Sequence, residues 1–213
     1  MIYVIYPVKE TPDENERHMR VSREKAAENR ERIAETAARM FREEGFDGVG
    51  VDAIMGAAGL THGGFYGHFR SKDDLAAEAM TRALQHGAEK QSRYTHLGDL
   101  VSDYLSGRHR ADRANGCAIA ALGADIVRQG AGVRGALTAS VRGQLDRLSR
   151  LLRRGTAASR RRRAITTLAG MVGALTLARA VNDPTLSEEI LEAMRDALGG
   201  LRRETSGHSA TRR

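Results

Sequence analysis

The chain has 213 residues, enough for one or two domains with a genuine core. Apolar residues make up 41% and charged residues 29%, which excludes a disordered chain, and the single cysteine excludes an internal disulfide framework or a Cys-based zinc module. The formal net charge of +7 points to a polyanionic partner.

No apolar run reaches the roughly 18 residues of a membrane span. The apolar stretch 2–8 is interrupted by Pro7 and has no basic lead, so it makes a poor signal peptide and a cytoplasmic location is expected. Prolines occur only at positions 7, 12 and 184. The interval between the last two is rich in Ala, Leu, Arg and Glu, so the expected fold class is all-α, with glycine as punctuation.

Residues 1–19 read as a flexible extension, with a second plausible start at Met19. A first helix is expected over 24–44, with Ile33, Ala37, Met40 and Phe41 on one face and Gly45 as its stop. Short helices follow over 51–58 and 61–69. A long one begins after Ser71, where Ser71 and Asp74 read as a capping box, and runs to about residue 94. Five more are expected: one around Leu100–Leu105, then 118–129, 133–154, 165–181 and 186–201. That makes about nine, and the run Arg160 to Arg163 is expected in a solvated loop.

The informative stretch is VDAIMGAAGLTHGGFYGHFRSKDDL, residues 51–75. Val51, Ile54 and Ala58 form an inner face. Gly59 can take the left-handed conformation that a tight interhelical corner needs, and Leu60 plugs that corner. Thr61 can cap the next helix. Phe65 and Phe69, four apart, anchor that helix inward, which leaves His62, Gly63, Gly64, Tyr66 and His68 outward. This is a helix-turn-helix pattern whose second helix would enter the major groove. Lys72, Arg23 and Lys25 suit phosphate contact, with Arg20 and Arg70 nearby, and His62 is the best candidate for touching base edges. Residues 20–75 nevertheless carry nine Lys and Arg against ten Asp and Glu. DNA contact would therefore rest on the placement of a few side chains. The basic excess lies further along the chain.

The segment resembles the DNA-binding domain of TetR/AcrR-type transcriptional regulators. The resemblance rests on Arg32-Ile33 with Ala37 and Phe41, Gly45-Phe46, Val51-Asp52-Ala53-Ile54, and Ala57-Ala58-Gly59-Leu60-Thr61. It continues through Gly63, Phe65-Tyr66, His68-Phe69 and Ser71-Lys72-Asp73-Asp74-Leu75, and covers about residues 22–75. Met55-Gly56 departs from the usual pattern and should alter only the packing of the second helix. The resemblance implies a homodimer on a roughly palindromic operator of double-stranded DNA. It also implies a C-terminal helical domain that dimerises and holds a small-molecule effector whose binding releases DNA. The implied division is 1–19 extension, 20–75 DNA-binding domain, 76–204 effector-binding and dimerisation domain, and 205–213 disordered tail.

For the dimer interface the candidates are Ile165, Leu168, Ala169, Val172 and Gly173 on one helix, and Leu186, Ile190, Met194 and Leu198 on the next. For the effector pocket they are Tyr94, Leu100, Tyr104, Cys117 and Ala121, joined by Leu137, Val141, Leu168 and Val172. Cys117 stands at an expected helix start with Arg110 and Arg113 close in sequence, a setting in which a thiol can react, although a buried structural cysteine would read the same. A thiol-based sensor using Cys117 is therefore the alternative function. A helical ligand-binding protein without DNA binding is the other. No phosphate loop, metal-spaced histidine pair or Ser/His/Asp arrangement is present, so no enzyme activity, cofactor, metal or membrane partner is expected.

Overall fold

Good helix formers and well-placed stops make this a protein of stacked helices. The computed structural model describes residues 14–200. The expectations for 1–13 and for the tail 205–213 fall outside them. In chain order come α1 (Glu14–Glu44), α2 (Val51–Ala57), a 3-10 helix (His62–Gly67) and α3 (Lys72–Ser92). They are followed by α4 (Leu97–Tyr104), α5 (Gly107–Ala111), α6 (Ala118–Ile126), α7 (Ala131–Leu151), α8 (Ala157–Ala180) and α9 (Pro184–Gly200). No strand occurs among the described residues, and none of their helices is long and apolar enough to cross a membrane.

Several boundaries differ from expectation. α1 begins at Glu14, ten residues early, so positions 14–19 are helical. α5 was not foreseen; the Ser106 hydroxyl starts it by accepting from the His109 N–H. α8 begins at Ala157, which puts Arg160 to Arg163 on a helix rather than in a loop. Gly155, at φ +94°, turns the chain there, and Thr156 Oγ1 accepts from the Ser159 N–H.

The buried face of α1 (Ile33, Ala34, Ala37, Phe41) forms one core with α2, the 3-10 helix and the first half of α3. Ala118, Leu122 and Ile126 of α6 and Val133 of α7 complete that core, so packing does not part at residue 75. A second core joins α4, α7, α8 and α9 around Leu100, Leu105, Met171, Leu175 and Leu191. α3 is the shared strut. It packs on α1 and runs alongside α7 in the same direction: a Cβ on Gly132 would stand 3.0 Å from Ala77 near one end, and Arg147 donates to the Tyr94 carbonyl just past the other.

Candidate DNA-reading corner and helical cavity

The corner between α2 and the 3-10 helix is built as its residues dictate. Gly59 takes φ +69°, and the Leu60 N–H donates to the Met55 carbonyl. Thr61 has the extended backbone of an N-cap, but its hydroxyl caps nothing, contrary to expectation. Three glycines in six residues leave the next helix short and tight. Its bonds include Gly64 N–H to Thr61 O and His68 N–H to Phe65 O, the i to i+3 pattern of a 3-10 turn rather than the expected α-helix. Phe65 and Phe69 hold it down, both buried and stacked with centroids 5.8 Å apart. Met55 is buried beneath it, with its methyl 3.7 Å from where a Gly64 Cβ would stand.

What faces outward follows from that anchoring. Tyr66 is 70% exposed, and Thr61, His62 and Gly63 are exposed. Gly64 and His68 are half-buried, as is Lys72 in the first turn of α3. Arg23, Lys25 and Arg70 are exposed, while Arg20 falls in the early turns of α1. His62 Nδ1 pairs with the exposed Asp52 carboxylate of α2. Ser71 Oγ accepts from the Asp74 N–H as a cap should, but the Asp74 carboxylate reaches back to the N–H of Arg70 and not to that of Ser71.

One group that sequence reasoning missed locks this unit together. The Arg30 guanidinium of α1 lies 4.1 Å over the Phe69 ring, donates to the His68 carbonyl and pairs with Glu78 of α3. Arg82 then bridges Glu78 and Glu31. Arg30 lies 38 and 48 positions from His68 and Glu78, and Arg82 lies 51 from Glu31; only the Arg82–Glu78 pair, four apart, is local.

The second candidate region is a cavity of about 310 Å³ between the C-terminal half of α3, α4, α5 and the start of α6. Of the pocket candidates, Tyr94, Leu100, Tyr104 and Cys117 line it, with Lys90, Arg108 and His109. The other five candidates lie elsewhere because they serve the cores. Ala121 and Leu137 pack against the first core, Val141 and Val172 against the second, and Leu168 is buried within the second.

His109 organises this region. Its Nε2 accepts from the Cys117 N–H at 2.9 Å, so the ring proton sits on Nδ1 and is donated to the Tyr104 carbonyl at 2.6 Å. Burial lowers the His109 pKa and favours this neutral form. The guanidinia of Arg110 and Arg113, close to Cys117 in sequence, have other partners. Arg110 is spent on Ser187 and Glu188, and Arg113 on the Glu43 carbonyl. Arg42 of α1 donates to the Ala114 carbonyl of the same loop, and Arg179 of α8 donates to the His109 and Arg110 carbonyls.

At the far face, Leu168 and Leu198 belong to the chain's own core and are not free for a partner. Val172, Gly173, Ile190 and Met194 are half-buried, while Ile165, Ala169 and Leu186 are exposed.

The fold and the Gly59 corner thus define an all-helical protein of the helix-turn-helix class. Residues 33–79 match the profile of the bacterial regulatory proteins, tetR family. An HTH-type transcriptional regulator of Staphylococcus aureus (strain USA300) is 34% identical over 84 residues, 39% of this chain and 42% of that protein. The chain therefore matches less than half the length of such curated relatives. A TetR transcriptional regulator from Chloroflexus aurantiacus superposes with a TM-score of 0.66 and 25% identity, over 83% of this chain and 96% of that one. A TetR-family regulator from Cytophaga hutchinsonii superposes with a TM-score of 0.70 and 20% identity, over 83% and 96%. The tetR-family signature thus falls on the helix-turn-helix segment, and the fold of the described residues is that of the TetR-family structures.

Proposed function

We propose that the protein is a transcriptional repressor that binds a roughly palindromic DNA operator as a homodimer and is released when a small molecule enters the α3–α6 cavity. Residues 20–75 are the reading domain, and the helices beyond hold the effector and the partner. The observation that carries this reading is the glycine-hinged 3-10 helix, fixed from beneath by Phe65, Phe69 and Arg30, with Tyr66, His62 and Gly63 turned to solvent. His62 and Tyr66 meet the groove. Thr61, Gly64 and His68 line the approach, and Lys72, Arg23 and Lys25 neutralise phosphates.

The half-site spacing follows from two-fold symmetry: two such helices would lie about 34–36 Å apart, one turn of DNA. An exposed apolar stripe supports the dimer, with Ile165, Ala169 and Leu177 on α8 and Leu186 on α9.

A gel shift with the DNA flanking the protein's own gene tests the reading. A sequence-specific shift whose affinity falls steeply and log-linearly with salt is expected. Equal affinity for scrambled DNA, or no shift at low salt, overturns it.

A further inference from the structure

We propose that Cys117 is a covalent modification site, its thiol adding to small α,β-unsaturated carbonyl compounds that enter the α3–α6 cavity, and that the adduct weakens DNA binding. The second half rests on the repressor reading above; the first does not.

Cys117 lines the cavity and stands at the N-cap of α6, whose first N–H groups favour negative charge. A cysteine at a helix start is not enough to make a site. Here two buried donors lack acceptors among the described residues, the Tyr104 hydroxyl and Arg179 Nη1. The Tyr104 hydroxyl stands beside Cys117, and Arg179 Nη2 lies 2.7 Å from where a Cβ on the neighbouring Gly116 would be. Tyr104 is only 4% exposed, and burial pushes its phenol well above the usual range, so it remains a donor at neutral pH. The other Arg179 nitrogens are taken by the Arg110 and His109 carbonyls, which aims the group. Arg42 holds the same loop by donating to the Ala114 carbonyl. Two unsatisfied buried donors thus stand beside the segment that carries the thiol. The volume of about 310 Å³ lies at the small end for ligand sites.

The step balances without an oxidant. The thiol gives up its proton and the sulfur attacks the β-carbon. A C–S bond forms as the C=C π bond breaks into the enolate, and the α-carbon takes a proton from water. The product is a saturated thioether with no leaving group.

The loop carrying the thiol is fastened to the DNA-reading unit. Arg42 donates to the Ala114 carbonyl, Arg113 to that of Glu43, and Lys90 of α3 to that of Asn115. There is little slack. A Cβ on Gly116 would stand 2.6 Å from the Asp112 carbonyl oxygen and 2.7 Å from Arg179 Nη2. An adduct fills the cavity that this loop bounds, and any shift of the loop to seat it passes to the end of α1 through Arg42 and Arg113.

The test treats the full chain with cyclohexenone and follows intact mass and operator binding together. One adduct is expected, mapped to Cys117 and absent from Cys117→Ser. It should form at least tenfold faster than on glutathione and lower operator affinity at least tenfold. Arg179→Gln should slow addition about tenfold and Arg179→Lys by less, which separates charge from mere packing. An adduct no faster than glutathione's, or one located elsewhere, overturns the site. A Cys117 adduct with operator affinity unchanged overturns the regulation. Failure of the unmodified protein to bind DNA overturns the repressor reading, and the mass result still decides the site.

Discussion

Gly59 and Gly63 both belong to the reading corner, yet they answer to different constraints. Gly59 sits at φ +69° with open space around it, so only its backbone conformation demands glycine. A side chain there costs about 1–2 kcal/mol, and Gly59→Ala should lower stability to urea by that amount. Gly63 has no such φ, and a Cβ would meet nothing within 4 Å. Nothing in the free protein requires glycine there, although glycine weakens a helix by up to about 1 kcal/mol relative to alanine. If its absence of bulk serves close approach to the groove wall, Gly63→Ala should keep or raise the melting temperature while weakening operator binding several-fold. Melting curves beside gel shifts decide it. Unchanged affinity would remove Gly63 from the reading surface.

Elements with one apolar face were legible in the sequence, and those held by distant polar partners were not. The stripe Ile33, Ala37, Phe41 and the Phe65–Phe69 pair found their places because burial alone dictates them. α5 only partly buries its residues and is held by His109 to Tyr104, Arg110 to Ser187 and Arg179 from α8, partners that no local period reveals. The basic run Arg160 to Arg163 looked like a loop because charge hides the periodicity that Ala164, Leu168 and Met171 continue. Of the residues named for a pocket, those on α6, α7 and α8 pack with the cores, while Tyr94, Leu100, Tyr104 and Cys117 line a cavity among polar neighbours. α5 also makes a pH prediction. The folded-state pKa of His109 is lowered by burial, so the folded protein holds fewer protons there than the unfolded chain. The stability this neutral histidine supplies is complete above its ordinary value of about 6.5 and is lost as pH falls through that value to the folded pKa. The stability difference between the parent and His109→Asn should therefore be largest near pH 8 and shrink towards pH 5 in urea titrations. A difference independent of pH would show that the ring is not neutral in the fold.

Across the whole molecule, charge and symmetry divide the labour. α7 runs alongside α3, so Arg147, Arg150 and Arg153 fall towards the end of α3 opposite Lys72, and Arg160 and Arg161 share a surface hollow with Arg150 and Arg153. These five arginines of the basic excess thus lie away from the reading helix, and the net charge of +7 is no measure of operator affinity. Affinity for a two-fold operator would come instead from joining two reading domains, which makes the second contact intramolecular. The joint would be the α8–α9 face, where Ile165 is 49% exposed, Leu177 57% and Leu186 41%, unusual for large apolar side chains. Gly173 lies between Ile165 and Leu177 with open space at its Cβ position, room for a partner helix to come close. Leu177→Glu should leave the monomer folded, since that side chain already meets water. In the dimer it would place a carboxylate without a partner in each copy of an apolar joint. Uncompensated buried charge costs about 3–5 kcal/mol, and 3 kcal/mol alone raises a dissociation constant more than a hundredfold. Sedimentation at micromolar concentration should then show the parent at twice the chain mass and the variant at the single-chain mass, with unchanged circular dichroism and a large loss of operator affinity. A variant that stays dimeric would move the joint to another face.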